Sequence, residues 1–256
     1  MAEFGRVPHP SFDLRQNTMQ DEQLGLDKRA GDSHYRAYVG PPGDYDLVAA
    51  MSFGLLTVLG LRQHHRVLDI GCGSLRVGRL LIPYLNRGGY TGIEPNAWLV
   101  EEGTRSETGR EQLQLKQARF VYADNASELV DAGARYEFVL AQSIFSHCGP
   151  DLLDQWLTQV SQLLEADGAL VATFVPGESD TQARGWIYPG CVSYLPATIA
   201  EHARRHGLEA FDLDWRHPRQ RWVLMAKPAF DTAAIAAGGL SWNSLFDRFR
   251  MRRQSP

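Results

Sequence analysis

The stretch RVLDIGCGSLRVGRLL (residues 66–81) joins a short apolar run to an acidic residue, two glycines and a series of helix-forming residues. An apolar run of this length that ends at glycines is typical of a buried β-strand, and the residues after it favour a helix. Glycines at a strand-to-helix turn allow the backbone to approach a ligand closely. The stretch therefore predicts the first strand and a ligand-binding turn of an α/β sheet.

The same alternation of strands and helices continues along the chain. Strands are predicted at RVLDI, GYTGIE, RFVYA, YEFVLAQ, ALVATFV, LEAFDLDW and RWVLMAKP, and helices at residues 45–61, 75–85, 97–103, 127–132, 151–165 and 196–207. Such alternation is typical of βαβ units around a parallel sheet. Only RHPRQ separates the last two strands, which suits an antiparallel hairpin. We therefore predict a doubly wound, seven-stranded, mostly parallel sheet with one antiparallel strand.

Three regions are expected around this sheet. Residues 1–43 are polar and interrupted by prolines, which predicts an N-terminal arm or lid, partly helical, that ends at a Pro-Pro-Gly turn. Residues 44–230 form the main domain, with Asp44 as the expected N-cap of its first helix and a loop-rich insertion at 176–196. Residues 231–256 form a tail with an amphipathic, arginine-rich pattern, which we expect to dock on its own domain or on a dimer mate.

Composition and charge exclude several classes of protein. The chain has 256 residues, of which 44% are hydrophobic and 22% charged, as in ordinary globular domains. A net charge of −4, with the clearest basic cluster in the tail, argues against nucleic acid as a partner. The three cysteines are scattered, without metal-ligand spacing, and fit a reduced compartment. Without a signal peptide or a membrane-spanning run, we expect a cytoplasmic protein with no metal and no membrane partner.

The glycine turn could hold either of two classes of ligand. A dinucleotide site uses the pattern GxGxxG, but Arg76 occupies the third glycine position here. Asp69 would also bring negative charge close to a pyrophosphate. S-adenosylmethionine carries an ammonium and a sulfonium and has no phosphate, so an acidic residue favours it. We therefore expect S-adenosylmethionine, with a NAD-dependent dehydrogenase as a distant alternative.

Polar residues at the ends of three further strands agree with this ligand. Glu94 in YTGIEPN can accept both ribose hydroxyls, although NAD-binding folds share this acidic position. Asp124 in RFVYADN can accept the adenine amine or, instead, cap a short helix near residue 126. Gln142 follows the fourth strand, beside the expected methyl-transfer position. All three lie at carboxyl ends of strands, where open α/β sheets bind ligands.

The order and spacing of VLDIGCG, YTGIEPN, VYADN, AQSIFSH and ADGALVATF resemble those of the class I S-adenosylmethionine-dependent methyltransferases, over about residues 45–227. The first and fourth of these motifs are similar to a bacterial branch that includes enzymes acting on small molecules. The resemblance implies a Rossmann-like transferase that converts S-adenosylmethionine to S-adenosylhomocysteine. The cofactor contacts expected from these motifs are Asp69, Gly71, Cys72, Gly73, Arg76, Glu94, Pro95, Asp124, Asn125 and Gln142. The chain departs from the common GCGTG pattern, so Arg76 could face the cofactor carboxylate or simply cover the helix.

Candidates for the acceptor side come from segments outside the sheet pattern. His147 follows the fourth strand, where an imidazole could act as a general base or, alternatively, cap a helix or bond to backbone. Aromatic residues of the arm and the insertion are expected either to form a lid and substrate wall or to pack the arm onto the body. They are Tyr35, Tyr38, Trp186, Tyr188 and Tyr194. His217, in the last hairpin loop, could border the pocket or be a surface turn residue.

These observations predict methyl transfer to an oxygen, nitrogen, sulfur or carbon nucleophile on a small-molecule acceptor, by in-line attack on the sulfonium methyl. Two alternatives stay open. One is a methyltransferase acting on tRNA or protein. The other is a non-methylating protein that binds S-adenosylmethionine as a rearrangement catalyst or a regulatory subunit. A homodimer is one option for its assembly.

Overall fold

Eight strands form one sheet within residues 23–236 and 240, the part of the chain that the computed structural model describes. They are β1 (Val67–Ile70), β2 (Tyr90–Ile93), β3 (Arg119–Val121), β4 (Tyr136–Ala141), β5 (Leu164–Pro176), β6 (Ser193–Tyr194), β7 (Glu209–Leu213) and β8 (Arg221–Ala226). Their order is β3-β2-β1-β4-β5-β8-β7, and β6 pairs with β5. Strand β8 runs antiparallel to β5 and β7, whereas the other pairs are parallel. The predicted sheet is confirmed, with the two-residue β6 as an unpredicted addition.

Nine α-helices accompany this sheet within the described residues. They are α1 (Tyr35–Tyr38), α2 (Tyr45–Val58), α3 (Gly78–Tyr84), α4 (Ala97–Gly103), α5 (Arg110–Lys116), α6 (Ser127–Asp131), α7 (Pro150–Leu163), α8 (Pro196–Arg205) and α9 (Ala233–Ala236). Apolar side chains of α6, α7 and α8 join one core, and those of α2 and α3 join the other. Residues 138–141 of β4 alternate between the two cores, as the two-residue period of a strand requires. A parallel sheet buried on both faces therefore holds the strand ends in fixed positions.

Two local predictions differ from the structure, and two neighbouring elements were missed. Asp44 makes no capping hydrogen bond to α2, because its carboxylate instead pairs with Arg219 at 2.8 Å. Helix α7 ends at Leu163 and β5 begins at the next residue, so the predicted helix to residue 165 is too long. Helix α5 and the π-helical turn Thr104–Thr108 before it were not predicted, and α5 buries no residue, so it lacks the apolar stripe that would reveal it.

Two predicted regions fall wholly or partly outside the described residues. The first 22 residues of the arm and the amphipathic part of the tail, residues 241–256, lie there. Helix α1 belongs to the described part of the arm. Among the described residues, none of the helices combines the length and the apolar character that crossing a membrane requires.

Candidate functional site

The turn after β1 is built so that only glycine fits at two positions. Gly71 and Gly73 have φ values of +63° and +52°, in the left-handed region that side chains disfavour. A Cβ atom at Gly71 would overlap the Ile144 side chain, and one at Gly73 would lie 2.6 Å from Val39 Cγ1. The turn is therefore enclosed by the segment after β4 on one side and by the arm on the other.

A cavity of about 630 Å³ opens at this edge of the sheet. Cofactor and small-molecule sites usually measure about 300–1,000 Å³, and they lie at this edge of open α/β sheets. Seven of the predicted cofactor residues line the cavity: Gly71, Gly73, Arg76, Glu94, Pro95, Asp124 and Gln142. Four acceptor-side candidates line it too: Tyr38, His147, Trp186 and Tyr188. The structure thus brings most of the predicted site residues together.

Asp69 lies behind the turn and does not line the large cavity. Its side chain is buried and accepts a hydrogen bond from the Tyr90 hydroxyl at 2.9 Å. Burial raises the pKa of Asp69 to about 7. With Cys72, Asp69 lines an adjoining space of about 20 Å³, and a water needs about 10–15 Å³. A contact between Asp69 and a ligand in the large cavity would therefore pass through a water in this space.

Glu94 ties the end of β2 to the glycine turn. One carboxylate oxygen accepts a hydrogen bond from the Gly73 N–H at 3.1 Å. The other accepts from the Asn96 backbone N–H at 2.9 Å and from the Asn96 side-chain amide at 2.8 Å. Burial raises the pKa of Glu94 above its ordinary value. The oxygen bound to Gly73 keeps acceptor capacity for a ligand hydroxyl in the cavity.

Asp124 and Asn125 have different positions at the end of β3. Asp124 lines the cavity and accepts a hydrogen bond from the Asn125 amide at 3.0 Å. Asn125 is not among the lining residues, and its side-chain oxygen accepts from the Ser127 N–H at the start of α6. The bond to the first residue of the helix thus comes from Asn125, which leaves Asp124 facing the cavity.

Arg76 places a buried positive charge on the cavity wall. One guanidinium nitrogen donates to the Val39 carbonyl at 2.8 Å, and another donates to the Gln142 side-chain oxygen. Burial lowers the pKa of Arg76 to about 10, so the group remains protonated at neutral pH. Both hydrogen-bond partners are uncharged, so the charge is free to attract an anionic group of a ligand.

His147 is held in one tautomer by a backbone contact. Its Nδ1 lies 2.6 Å from the Gly190 carbonyl oxygen, which can only accept, so Nδ1 carries the proton and Nε2 has a free lone pair. Burial lowers the pKa of His147 below its ordinary value, which favours the neutral ring. The ring is flanked by Trp186, with centroids 5.3 Å apart, and by Tyr188 at 5.1 Å.

The arm closes over the insertion through α1. The Tyr188 hydroxyl donates to the Tyr38 carbonyl, and the two rings lie 5.2 Å apart. Tyr38 also packs edge-on against Trp98 at 5.2 Å. These contacts join the arm, the insertion and α4 around one end of the cavity.

An ion network anchors α1 to the body, at a distance from the cavity lining. Arg36 pairs with Glu107 at 2.6 Å, and Arg79 pairs with the same carboxylate at 3.1 Å. The Arg36 guanidinium lies 4.5 Å from the centre of the Tyr45 ring, a cation–π contact. Tyr35 donates its hydroxyl to Glu107 at 3.0 Å and is thus part of this anchor. The structure therefore places Tyr35 in the attachment of the arm and not on the cavity wall.

Two other acceptor-side candidates lie outside the cavity lining. His217 stands behind Gln142, with its Nε2 3.2 Å from the Gln142 amide nitrogen and its Nδ1 accepting from the Gln220 N–H at 2.9 Å. Burial and neighbouring arginines lower the pKa of His217 to about 4. Tyr194 is fully buried and donates its hydroxyl to the Cys148 carbonyl at 2.6 Å. Both side chains support the segments that carry the site.

Several lining residues were not predicted from the sequence. They are Val39, Ile70, Ile93, Asn96, Leu99, Ala123, Ser143, Ile144, Leu152, Trp156 and Gly185. Ser143 and Ile144 belong to the motif AQSIFSH, so their position directly after Gln142 could have identified them. Trp156 forms part of the apolar stripe of α7, and nothing in that pattern distinguishes a cavity wall from a core.

Comparison with known proteins agrees with the motifs. Residues 68–170 match a family model described as a methyltransferase domain. The chain has the fold of magnesium protoporphyrin IX methyltransferase from Synechocystis PCC 6803, solved with bound S-adenosylmethionine (15% identity, 86% of this chain and 100% of that chain covered, TM-score 0.56). It is also similar to 1,6-didemethyltoxoflavin-N1-methyltransferase from Burkholderia thailandensis, solved with 1,6-didemethyltoxoflavin and S-adenosylhomocysteine (19% identity, 86% and 93% covered, TM-score 0.55). The resemblance stated from the sequence is confirmed.

Proposed function

We propose that this chain is a class I S-adenosylmethionine-dependent methyltransferase and that it methylates a small molecule enclosed beneath its arm. One observation carries the proposal: a single cavity runs from the glycine turn to an aromatic wall, and α1 closes over that wall. The two solved enzymes above are named for small-molecule acceptors, which supports the same class of acceptor here.

The polar part of the cavity fits the cofactor group by group. Glu94 offers carboxylate oxygens for ribose hydroxyls, and the exposed carboxylate of Asp124 offers an acceptor for the adenine amine. The buried cation of Arg76 suits the carboxylate of the methionine moiety. Gly71 and Gly73 leave space for close backbone approach to that moiety.

The reaction requires the protein to orient the reactants and accept a proton, and not to form a covalent bond with them. When bound, S-adenosylmethionine supplies a methyl group on a sulfonium, and its displacement leaves a neutral thioether. In this proposal His147 Nε2 accepts the proton that the acceptor loses as it becomes a nucleophile; the position of His147 on the cavity lining and the bond of its Nδ1 to Gly190 support this role. Tyr38, Trp186 and Tyr188 hold the acceptor and exclude water, so that orientation provides much of the acceleration.

Calorimetry with S-adenosylmethionine and with S-adenosylhomocysteine tests the cofactor half. We expect binding at micromolar protein and its loss in Glu94→Ala, because the ribose hydroxyls and the turn would lose their shared acceptor. Glu201→Ala, on the exposed face of α8, is the matched control and should bind as the wild type does. An unchanged affinity of Glu94→Ala for these two ligands, or no binding of either to the wild-type chain, would refute the proposal.

A further inference from the structure

We propose that the acceptor is an uncharged, planar aromatic molecule that carries an ionisable O–H or N–H, such as a phenol or a heteroaromatic N–H compound. This inference rests on the proposed function and specifies its substrate class. It is carried by the aromatic residues at one end of the cavity, the lack of charge among them, and the basic nitrogen that they surround.

Aromatic side chains line one end of the cavity. Trp186 and Tyr188 both line the cavity and lie nearly parallel, with an interplanar angle of 22° and centroids 6.3 Å apart. Tyr38 lies 5.2 Å from Tyr188 and lines the same space. Trp186 is 51% exposed, although it is the largest side chain of the insertion and belongs to a cavity wall. An indole left half-exposed beside other rings suits a flat aromatic ligand, which would cover it by stacking.

The charges of the cavity are concentrated away from these rings. Its described carboxylates, Glu94 and Asp124, follow β2 and β3, and its cation, Arg76, follows the glycine turn. All three are matched to groups of the cofactor. The aromatic end of the cavity is lined by Tyr38, Trp186, Tyr188 and His147, whose neutral form burial favours. A charged acceptor would lose its hydration there without gaining an opposite charge, so an uncharged one is favoured.

The weak basicity of His147 sets a lower limit on the acidity of the acceptor proton. An imidazole with a lowered pKa is a weak base, so it deprotonates a phenol, whose pKa is about 10, far more readily than an aliphatic alcohol. In the proposed methyl transfer, His147 Nε2 takes the proton and the oxygen or nitrogen lone pair forms the bond to the methyl carbon. The carbon–sulfur bond breaks, and its electron pair remains on sulfur. An acceptor with an ionisable proton on or beside an aromatic ring meets both conditions.

The test titrates four small probes into the full chain saturated with S-adenosylhomocysteine, with binding measured by calorimetry. The probes are 2-naphthol, cyclohexanol, benzoate and tyramine, which separate ring character from charge. We expect 2-naphthol to bind at least tenfold more tightly than each of the others. Trp186→Phe keeps a ring and should bind 2-naphthol within threefold of the wild type. Trp186→Leu keeps apolar surface without a ring and should bind it about 2- to 12-fold more weakly than Trp186→Phe, the range that aromatic pairing contributes beyond area.

Three outcomes would overturn the inference. They are equal binding of cyclohexanol and 2-naphthol, equal affinities of the Phe and Leu variants, and no binding of 2-naphthol to the saturated protein. Preferred binding of benzoate or tyramine would likewise replace it with an ionic acceptor. Binding of S-adenosylhomocysteine is measured in every variant. If that affinity persists while the probes fail, the substrate class is wrong and the proposed function stands.

Discussion

Replacing Glu107 with glutamine removes the negative charge that fastens the arm to the body. One carboxylate oxygen of Glu107 accepts from Arg36 at 2.6 Å, and the other accepts from Arg79 at 3.1 Å. The side chains of Arg36 and Glu107 are only 7% and 6% exposed. Water therefore cannot solvate the Arg36 guanidinium in place of the lost carboxylate charge. Removing one partner of a buried pair usually costs about 3–5 kcal/mol. We expect about 3 kcal/mol, the lower end, because Arg36 keeps a second carboxylate, that of Asp46, at 3.2 Å.

Urea titration followed by circular dichroism measures this change, and thermal melting should show a Tm lower by about 6–12 °C. Asp212→Asn is the control, since the Arg221–Asp212 pair is 45% and 47% exposed and should contribute at most about 1 kcal/mol. If Glu107→Gln loses no more free energy of unfolding than this control, the buried network does not hold the arm and the reasoning fails.

Three further changes test the turn and the two titratable groups. Gly71→Ala should abolish binding of S-adenosylhomocysteine in calorimetry because the added Cβ overlaps the Ile144 side chain. Gly88→Ala is the control: its φ is +77° and its surroundings are open, so backbone strain should lower the free energy of unfolding by about 1–2 kcal/mol and leave binding intact. Since His147 acts when deprotonated and burial lowers its pKa, kcat/KM for the acceptor at saturating S-adenosylmethionine should fall only on the acid side of the ordinary histidine range, and His147→Gln should lose that acid limb; a persisting limb contradicts the base role. Asp69 has a pKa of about 7, and its carboxylate favours a cationic ligand. The affinity for S-adenosylmethionine should therefore rise from pH 6 to 8 in the wild type and stay constant in Asp69→Asn. An equal pH dependence of the affinity in both proteins would show that Asp69 does not contribute to cofactor binding.

The sheet, and the edge of it at which the glycine turn and Glu94 meet, could be predicted because their signals are local. A strand that ends in Asp-Ile-Gly-Cys-Gly, and a second that ends in Glu94, specify both the fold and the edge at which their ends meet. The parallel register then brings Glu94 to Gly73 across 21 positions of sequence. Periodicity and glycine turns therefore sufficed for this part.

The ion network that anchors the arm and the position of His217 could not be predicted in the same way. Arg36 and Glu107 are 71 residues apart, and the acid lies on a π-helical turn whose sequence has no distinctive pattern. The structure places His217 behind Gln142 and not at the edge of the cavity. Tertiary packing of the last hairpin, and not the local sequence, determines what the His217 ring contacts. The cytoplasmic location, a homodimer, the lack of a nucleic-acid partner and the division at residues 43 and 230 stay predictions.

Two adjacent residues of the arm touch different halves of the cavity. Val39 accepts a hydrogen bond from Arg76 and abuts Gly73, whereas Tyr38 packs on Tyr188. We expect a ligand in the cofactor half to stabilise this short segment, which the proposed acceptor would also contact, and S-adenosylhomocysteine should therefore raise the affinity of the acceptor. Thermodynamic reciprocity then requires the acceptor to raise the affinity of S-adenosylhomocysteine by the same factor. Calorimetric titration of each ligand with and without the other measures that factor, and a value of one would show that the two halves are independent.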